Sequence, residues 1–147
     1  AFTTYEGNGG VPVSAYWDRL MFALRFGDMN ILLTDALTGD SRVMFNRQIQ
    51  TRVKRLAPFL MLDKDPYPVI SDGKIVWMQD AYTTTDRYPY SEPTQNNLNY
   101  IRNSVKIAID AYDGATTFYV MEPKEPILQV YRAIFPALFK PMEQLPA

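Results

Sequence analysis

A few clusters in this 147-residue chain carry side chains able to do chemistry. Asp80 and Asp110 are candidates for a carboxylate pair, the arrangement that works as acid and base on a glycosidic bond. Ser104 and Lys106 stand two apart. On a strand such residues share a face, which makes a Ser–Lys dyad conceivable. Their spacing is S-x-K, however, not the S-x-x-K of penicillin-recognising enzymes. Asp63-x-Asp65 opens like a cation loop, but the regular oxygen ligands of such a loop do not follow. Asp65 before Pro66 reads better as a turn starter. The remaining cluster lies in "DAYTTTDRYPYS" at 80–91. It sets Tyr82, Asp86, Arg87, Tyr88 and Tyr90 close together, with Arg102 and Asn103 shortly after. Aromatic faces beside hydrogen-bonding groups suit a sugar, a peptide or a membrane headgroup. They suit equally a loop that packs over its own sheet. These seven residues form the candidate binding site, and no catalytic residue, metal ligand or cofactor is assigned.

Composition removes whole classes of mechanism. The chain has no cysteine and no histidine. That excludes a Cys nucleophile, a Ser-His-Asp triad, a Cys/His zinc site and a histidine proton switch within it. Net charge is −1, from 15 basic and 16 acidic side chains. Phosphate contacts need a basic excess, so no nucleic-acid partner is expected. Neither a phosphate-cradling G-x-x-x-x-G-K-[ST] loop nor a G-x-G-x-x-G turn is present, and Gly7, Gly9 and Gly10 precede no helix directly.

The elements that must position these groups read as an α+β domain over 1–147: N-terminal helices, then an antiparallel sheet built from two Asp-Gly hairpins, then a C-terminal helix. Residues 1–13 show no periodicity. Ser14 is a plausible N-cap for "AYWDRLMFALRF", with Trp17, Leu20, Met21 and Leu24 on one face and Gly27 as the C-terminal stop. Asp28 then caps a short "MNILLTDAL" helix. Phe45, Ile49, Val53, Leu56 and Leu60 recur at helical spacing, so the strongest helix is expected to start at Asp40 or Ser41 and to end or kink near Pro58. Its Arg47 and Lys54 face reads as solvated. The period then changes to two. Val69 to Gln79 turns at Asp72-Gly73, and Ser104 to Met121 turns at Asp113-Gly114. Those two aspartates are explained by their turns. The segment 83–99 between the hairpins is long for a compact domain, and such loops tend to carry function or disorder. Glu125 or Lys124 opens the last helix, with Pro126 in its first turn, Ile127, Val130, Tyr131 and Ile134 on its apolar face and Pro136 stopping it.

No signal peptide is visible, and no apolar run approaches the ~18 residues of a membrane span. A chain of this composition that begins at Ala1 reads as a soluble piece of something longer.

Four stretches then carry a resemblance: "APFLMLDKDPYPVISDGKIVWMQDAYTTTDRYPYS", "NYIRNSVKIAIDAYDGATTFYV", "GGVPVSAYWDRLMFALRFGDMNILLTDAL" and "EPILQVYRAIFPALFKP". Together they span nearly the whole chain. It resembles a family of large, uncharacterised bacterial multi-pass membrane proteins of unknown function. The resemblance implies membrane helices outside this segment and a large soluble region on the extracytoplasmic side of the cell membrane. It implies no activity and no catalytic residues.

Three readings of function follow. The first is a non-enzymatic domain that binds other domains of the same membrane protein or an envelope component. The second is a carboxylate-dependent hydrolase using Asp80 and Asp110. The third is a structural support for a transporter or channel, marked by no concave pocket and one flat apolar face too large for a monomer.

Overall fold

The computed structural model describes residues 5–94 and 97–146. The chain falls into two compact units, Ala1–Phe45 and Asn46–Ala147.

In the first unit, strand β1 (Val11–Pro12) pairs antiparallel with β2 (Arg42–Val43). Helices α1 (Tyr16–Phe26) and α2 (Asn30–Leu33) lie between them in the chain. The cap of α1 is Ala15, not Ser14, because Asp18 three residues on accepts from the Ala15 amide at 3.2 Å. The carboxylate reaches back from the first turn to the cap residue's own amide, the N3 half of a capping box, and no side chain at the cap bonds a helix amide. Gly27, at φ 69°, ends α1 in the left-handed conformation. The expected stripe of α1 is not its packed side. Ala23 is buried, and Phe22 stacks on Phe26 and meets Phe45 at a tilt, whereas Trp17, Met21 and Leu24 point outward. The second expected helix shrinks to Asn30–Leu33. Arg42 ties the leading arm down by donating to the carbonyls of Asn8, Gly9 and Gly10.

The long helix expected from Asp40 or Ser41 forms only as α3, Ile49–Leu56. Arg42 and Val43 are paired in β2, and Asn46 sits at φ 53°, which no helix passes through. The apolar stripe misled because its members pack in different places. Phe45 lies 6.1 Å from the Phe22 ring in the first unit. Ile49, Val53 and Leu60 belong to the core of the second. Periodicity counts apolar residues and says nothing of what they touch. Pro58 does end the helix, since Ala57 before it leaves helical geometry at φ −137°.

The second unit is built on one sheet of six strands. These are β3 (Met61–Leu62), β4 (Tyr67–Ser71), β5 (Lys74–Thr85), β6 (Tyr100–Asp110), β7 (Thr116–Val120) and β8 (Phe139–Pro141), in the order β3-β5-β6-β7-β8 with β4 also on β5. Between β4 and β5, Asp72 and Gly73 have φ 50° and 73°, the pair of positive angles a two-residue hairpin needs. Between β6 and β7 the Asp110 carboxylate accepts from the amides of Tyr112 and Asp113, and Gly114 at φ 71° completes the turn. The sheet is mixed rather than antiparallel, because β8 runs parallel to β7. Helix α4 (Pro126–Ile134) is therefore not the end of the fold. It is the crossover that brings the chain back in the same direction.

Alternation along β5, β6 and β7 turns Ala81, Val105, Ile107, Ile109, Phe118 and Val120 toward one face. Val53, Ala57 and Leu60 cover them from one side and Leu128 of α4 from another. The opposite face carries a smaller cluster, Met78, Ala108 and Tyr119, met by Leu145. Glu125 caps α4, its carboxylate accepting from the amides of Ile127 and Leu128.

The expected apolar face of α4 is not its packed side: Leu128, outside it, is fully buried, whereas Ile134 is exposed and Val130, one half-turn from Leu128, is 57% exposed. Leu128→Ala is expected to cost roughly 2–5 kcal/mol of unfolding free energy. Val130→Ala should stay within about 0.5 kcal/mol. Denaturant unfolding followed by Trp77 fluorescence, in a Trp17→Phe background, checks the contrast.

Candidate functional site

The segment between β5 and β6 is organised around the Asn99 side chain. Asn99 accepts from the Tyr88 amide at 2.9 Å and donates to the carbonyls of Tyr88 and Ser91 at 2.8 and 3.2 Å. Ser91 returns a bond to the Asn99 carbonyl at 2.7 Å, and the Asn99 amide donates to Thr85. An asparagine amide offers both donor and acceptor, so it can close this ring of backbone groups where Asp or Leu could not. Residues 95 and 96 lie outside the described residues.

The ring presents Tyr88 to Tyr100, and the two stack at 4.4 Å and 13°. The Tyr100 hydroxyl reaches down to donate to Glu125 at 2.9 Å. Glu125 is buried and also caps α4. Loop, sheet and helix are thus joined through two tyrosines and one carboxylate. Burial and then the bond to Glu125 push the Tyr100 phenol up to about 12.

The seven candidate residues divide along this frame. Tyr88 packs. Tyr90 does not: it is fully exposed and holds φ 61°, a left-handed angle uncommon for an aromatic residue. Asp86 and Arg87 form an exposed ion pair at 3.8 Å, of a kind that contributes little. Tyr82 and Asn103 are direct cross-strand partners, and Arg102 is opposite Thr83. Arg102 and Asn103 are exposed. Burial, then the charges of Asp63 and Asp80, raise the Tyr82 phenol above its ordinary value.

Register decides the other pairings. Asp80 is opposite Lys106 and Asp110 is opposite Val76. Four residues of strand separate the two carboxylates, or ~13 Å at ~3.3 Å per residue. Carboxylate pairs that cleave glycosides stand roughly 5–9.5 Å apart. Asp80 is instead ion-paired to Lys106 at 3.2 Å, with each side chain about one-fifth exposed. Lys106 also donates to the Tyr67 hydroxyl at 3.1 Å. Burial works against the ammonium, but those bonds and the Asp80 charge outweigh it, so the Lys106 pKa is raised.

The Ser104–Lys106 dyad is undone by a β-bulge. Pairing jumps from Ala81–Val105 to Tyr82–Asn103, leaving Ser104 as the extra residue. Ser104 turns into the helix-covered side, where its hydroxyl meets Thr83 at 2.6 Å. Lys106 stays on the other face with Tyr67. Ser104 donates its one proton to the Arg102 carbonyl, so Thr83 is the donor between the two hydroxyls. Asp63 and Lys64 offer their carbonyls to Gln50, and Gln79 also bonds Asp63, as turn residues do. Among the described residues, no group of three or more acidic side chains is placed to hold a metal.

Tyr67 and Tyr100 were not singled out by sequence, and Glu125 was read only as a helix start. Tyr100 and Glu125 are 25 residues apart, and no local pattern marks such a pair.

The uncharacterised protein family UPF0182 matches residues 1–147. Similar curated proteins include UPF0182 proteins of Sulfurovum sp., 53% identical, of Pelotomaculum thermopropionicum, 50% identical, and of Synechococcus sp. (strain JA-2-3B'a(2-13)), 48% identical. Each comparison covers 99% of this chain but only 16–17% of the relative. The chain spans about a sixth of the length of the curated relatives it matches. No solved structure matches it. No helix among the described residues is long and apolar enough to cross a membrane.

Because the folded state holds the Tyr100 proton more tightly than the unfolded chain, this group's contribution is complete below pH 10. It is lost as pH rises from about 10 to about 12. Tyr100→Phe is expected to flatten that part of the stability-against-pH curve, measured by urea unfolding at stepped pH. An unchanged slope would show that Tyr100 does not titrate there.

Proposed function

The chain belongs to the uncharacterised protein family UPF0182, and from that premise we propose that it is a non-catalytic docking module of a longer membrane protein. Its partner in this reading is the remainder of the same polypeptide, and its place is the extracytoplasmic side of the cell membrane.

One observation carries the proposal. Along α1, Trp17, Met21 and Leu24 are 71%, 66% and 67% exposed. They stand four and three residues apart, which makes one continuous stripe on the helix. Tyr16, edge-on to Trp17, widens it, and Met29 and Leu33 are exposed in the same unit. Scattered exposed apolar residues are ordinary, but a large contiguous patch marks a contact surface. The relatives supply the occupant, since about five-sixths of their length lies outside the segment matched here. A covalently attached partner is present at high effective concentration, so even a modest apolar contact stays closed.

The resemblance of the long sequence runs to multi-pass membrane proteins supports attachment through segments outside this chain. The exposed residues Tyr90, Arg87 and Arg102 provide an accessible second surface, open to an envelope component. Hydrolysis by Asp80 and Asp110 has no support, because the two carboxylates stand apart and each has a structural partner.

The absence of cysteine makes a direct test simple. Leu24→Cys and Tyr90→Cys are introduced separately into the longer protein, stripped of other cysteines, and into this chain alone. Maleimide labelling of the Leu24→Cys variant is expected to be at least tenfold slower in the longer protein, with Tyr90→Cys labelled equally fast in both. Equal rates at position 24 would sink the docking reading. In intact cells a membrane-impermeant maleimide should label Tyr90→Cys. Labelling only after lysis would refute the extracytoplasmic placement.

A further inference from the structure

On the face of the sheet away from α3 and α4, Val69, Val76 and Met78 line an open-sided cavity of about 230 Å³. Met142 and Leu145, from the short 3-10 turn Met142–Gln144 and the residue after it, line its other side. Two polar positions mark its ends. At one, Lys106 lies beside Tyr67. At the other is Ser71, four residues along β4 and therefore ~13 Å away. Ser71 is 7% exposed, and its hydroxyl oxygen has no hydrogen-bond partner among the described residues. A buried hydroxyl left unpaired is costly, so rotation of this side chain about its Cα–Cβ bond toward the cavity is favoured by any molecule that brings it a partner.

Charge narrows what that molecule can be. Lys106 uses one N–H on Tyr67 and faces Asp80 at 3.2 Å, which leaves a third N–H for another acceptor. Asp80 already cancels the ammonium. An anionic head would meet the Asp80 carboxylate, and a cationic head would meet Lys106. An uncharged acceptor meets neither penalty. The intervening wall is aliphatic. A cavity of ~150 Å³ takes benzene, so one of this volume takes about nine heavy atoms.

We infer that this cavity is a binding site for an uncharged, apolar-bodied molecule with a hydrogen-bonding group at each end, one on Lys106 and the other on Ser71. The inference stands on the cavity alone and does not depend on the docking reading.

The probe is 1,8-octanediol, with 1-octanol and octanoate as comparisons, titrated into this chain with its methionine methyls labelled for NMR. Saturable shifts are expected at Met78 and Met142, with Met21 unmoved. Octanoate is expected to bind at least tenfold more weakly than octanol. Ser71→Ala removes only an unpaired hydroxyl, so the fold should persist. In that variant the dissociation constant of the diol relative to that of octanol should rise at least fivefold. Leu145→Trp, which fills the cavity from the terminal segment, should abolish the shifts. The inference is overturned if Met78 and Met142 do not shift saturably. It is equally overturned if octanoate binds as well as octanol, or if Ser71→Ala leaves the diol-to-octanol ratio unchanged.

Discussion

The pairing of β5 with β6 is the constraint on which the second unit rests. These are its longest strands, and all the other strands except β8 pair directly with one of them. Their register sets which residues meet the helices and which meet the opposite face. It puts Ala81 against Val105 and Gln79 against Ile107 on the packed side, and Asp80 against Lys106 on the other. The bulge at Ser104 then resets that register partway along. A single inserted residue flips every later side chain of β6 relative to strict alternation. Without it, Tyr100 would not face the helix side, where Glu125 caps α4.

Several polar groups of this unit satisfy one another, while the buried Gln79 Oε1 has no hydrogen-bond partner among the described residues. Glu125 serves the N-terminus of α4 and the Tyr100 hydroxyl together. Asn99 closes the loop by bonding to its backbone on both sides. Asp110 is held by its own turn. Lys106 is the exception in kind, a half-buried ammonium shared between Asp80 and Tyr67 with a donor left over. It lines the same cavity as Ser71, whose buried hydroxyl has no partner among the described residues.

The first unit follows a different logic. Its packed interior is small, with Val13 and Ala23 buried, while its largest side chains face outward. A unit of that kind gains little by burying surface within itself and much by burying surface against something else.

Sequence by itself determined the local elements whose causes are local. Asp-Gly specifies positive φ at two successive residues, Glu125 before Pro126 specifies a helix start, and alternation in β6 specifies a two-faced strand. It also determined what chemistry is absent, since a chain without His or Cys cannot build a triad or a thiolate site from its own residues. Only the tertiary structure decided which elements meet. The apolar stripe from Phe45 to Leu60 looked like one helix because period is blind to partners, and its members separated into two cores. Ser104 and Lys106 looked like neighbours because alternation assumes an unbroken register, and a bulge put them on opposite faces. Asp80 and Asp110 looked alike in sequence, each within Asp-Ala-Tyr. Cross-strand pairing gave Asp80 a lysine, whereas Asp110 stayed with the amides of its own turn. Such choices rest on contacts between residues distant in the chain, and no local propensity encodes them.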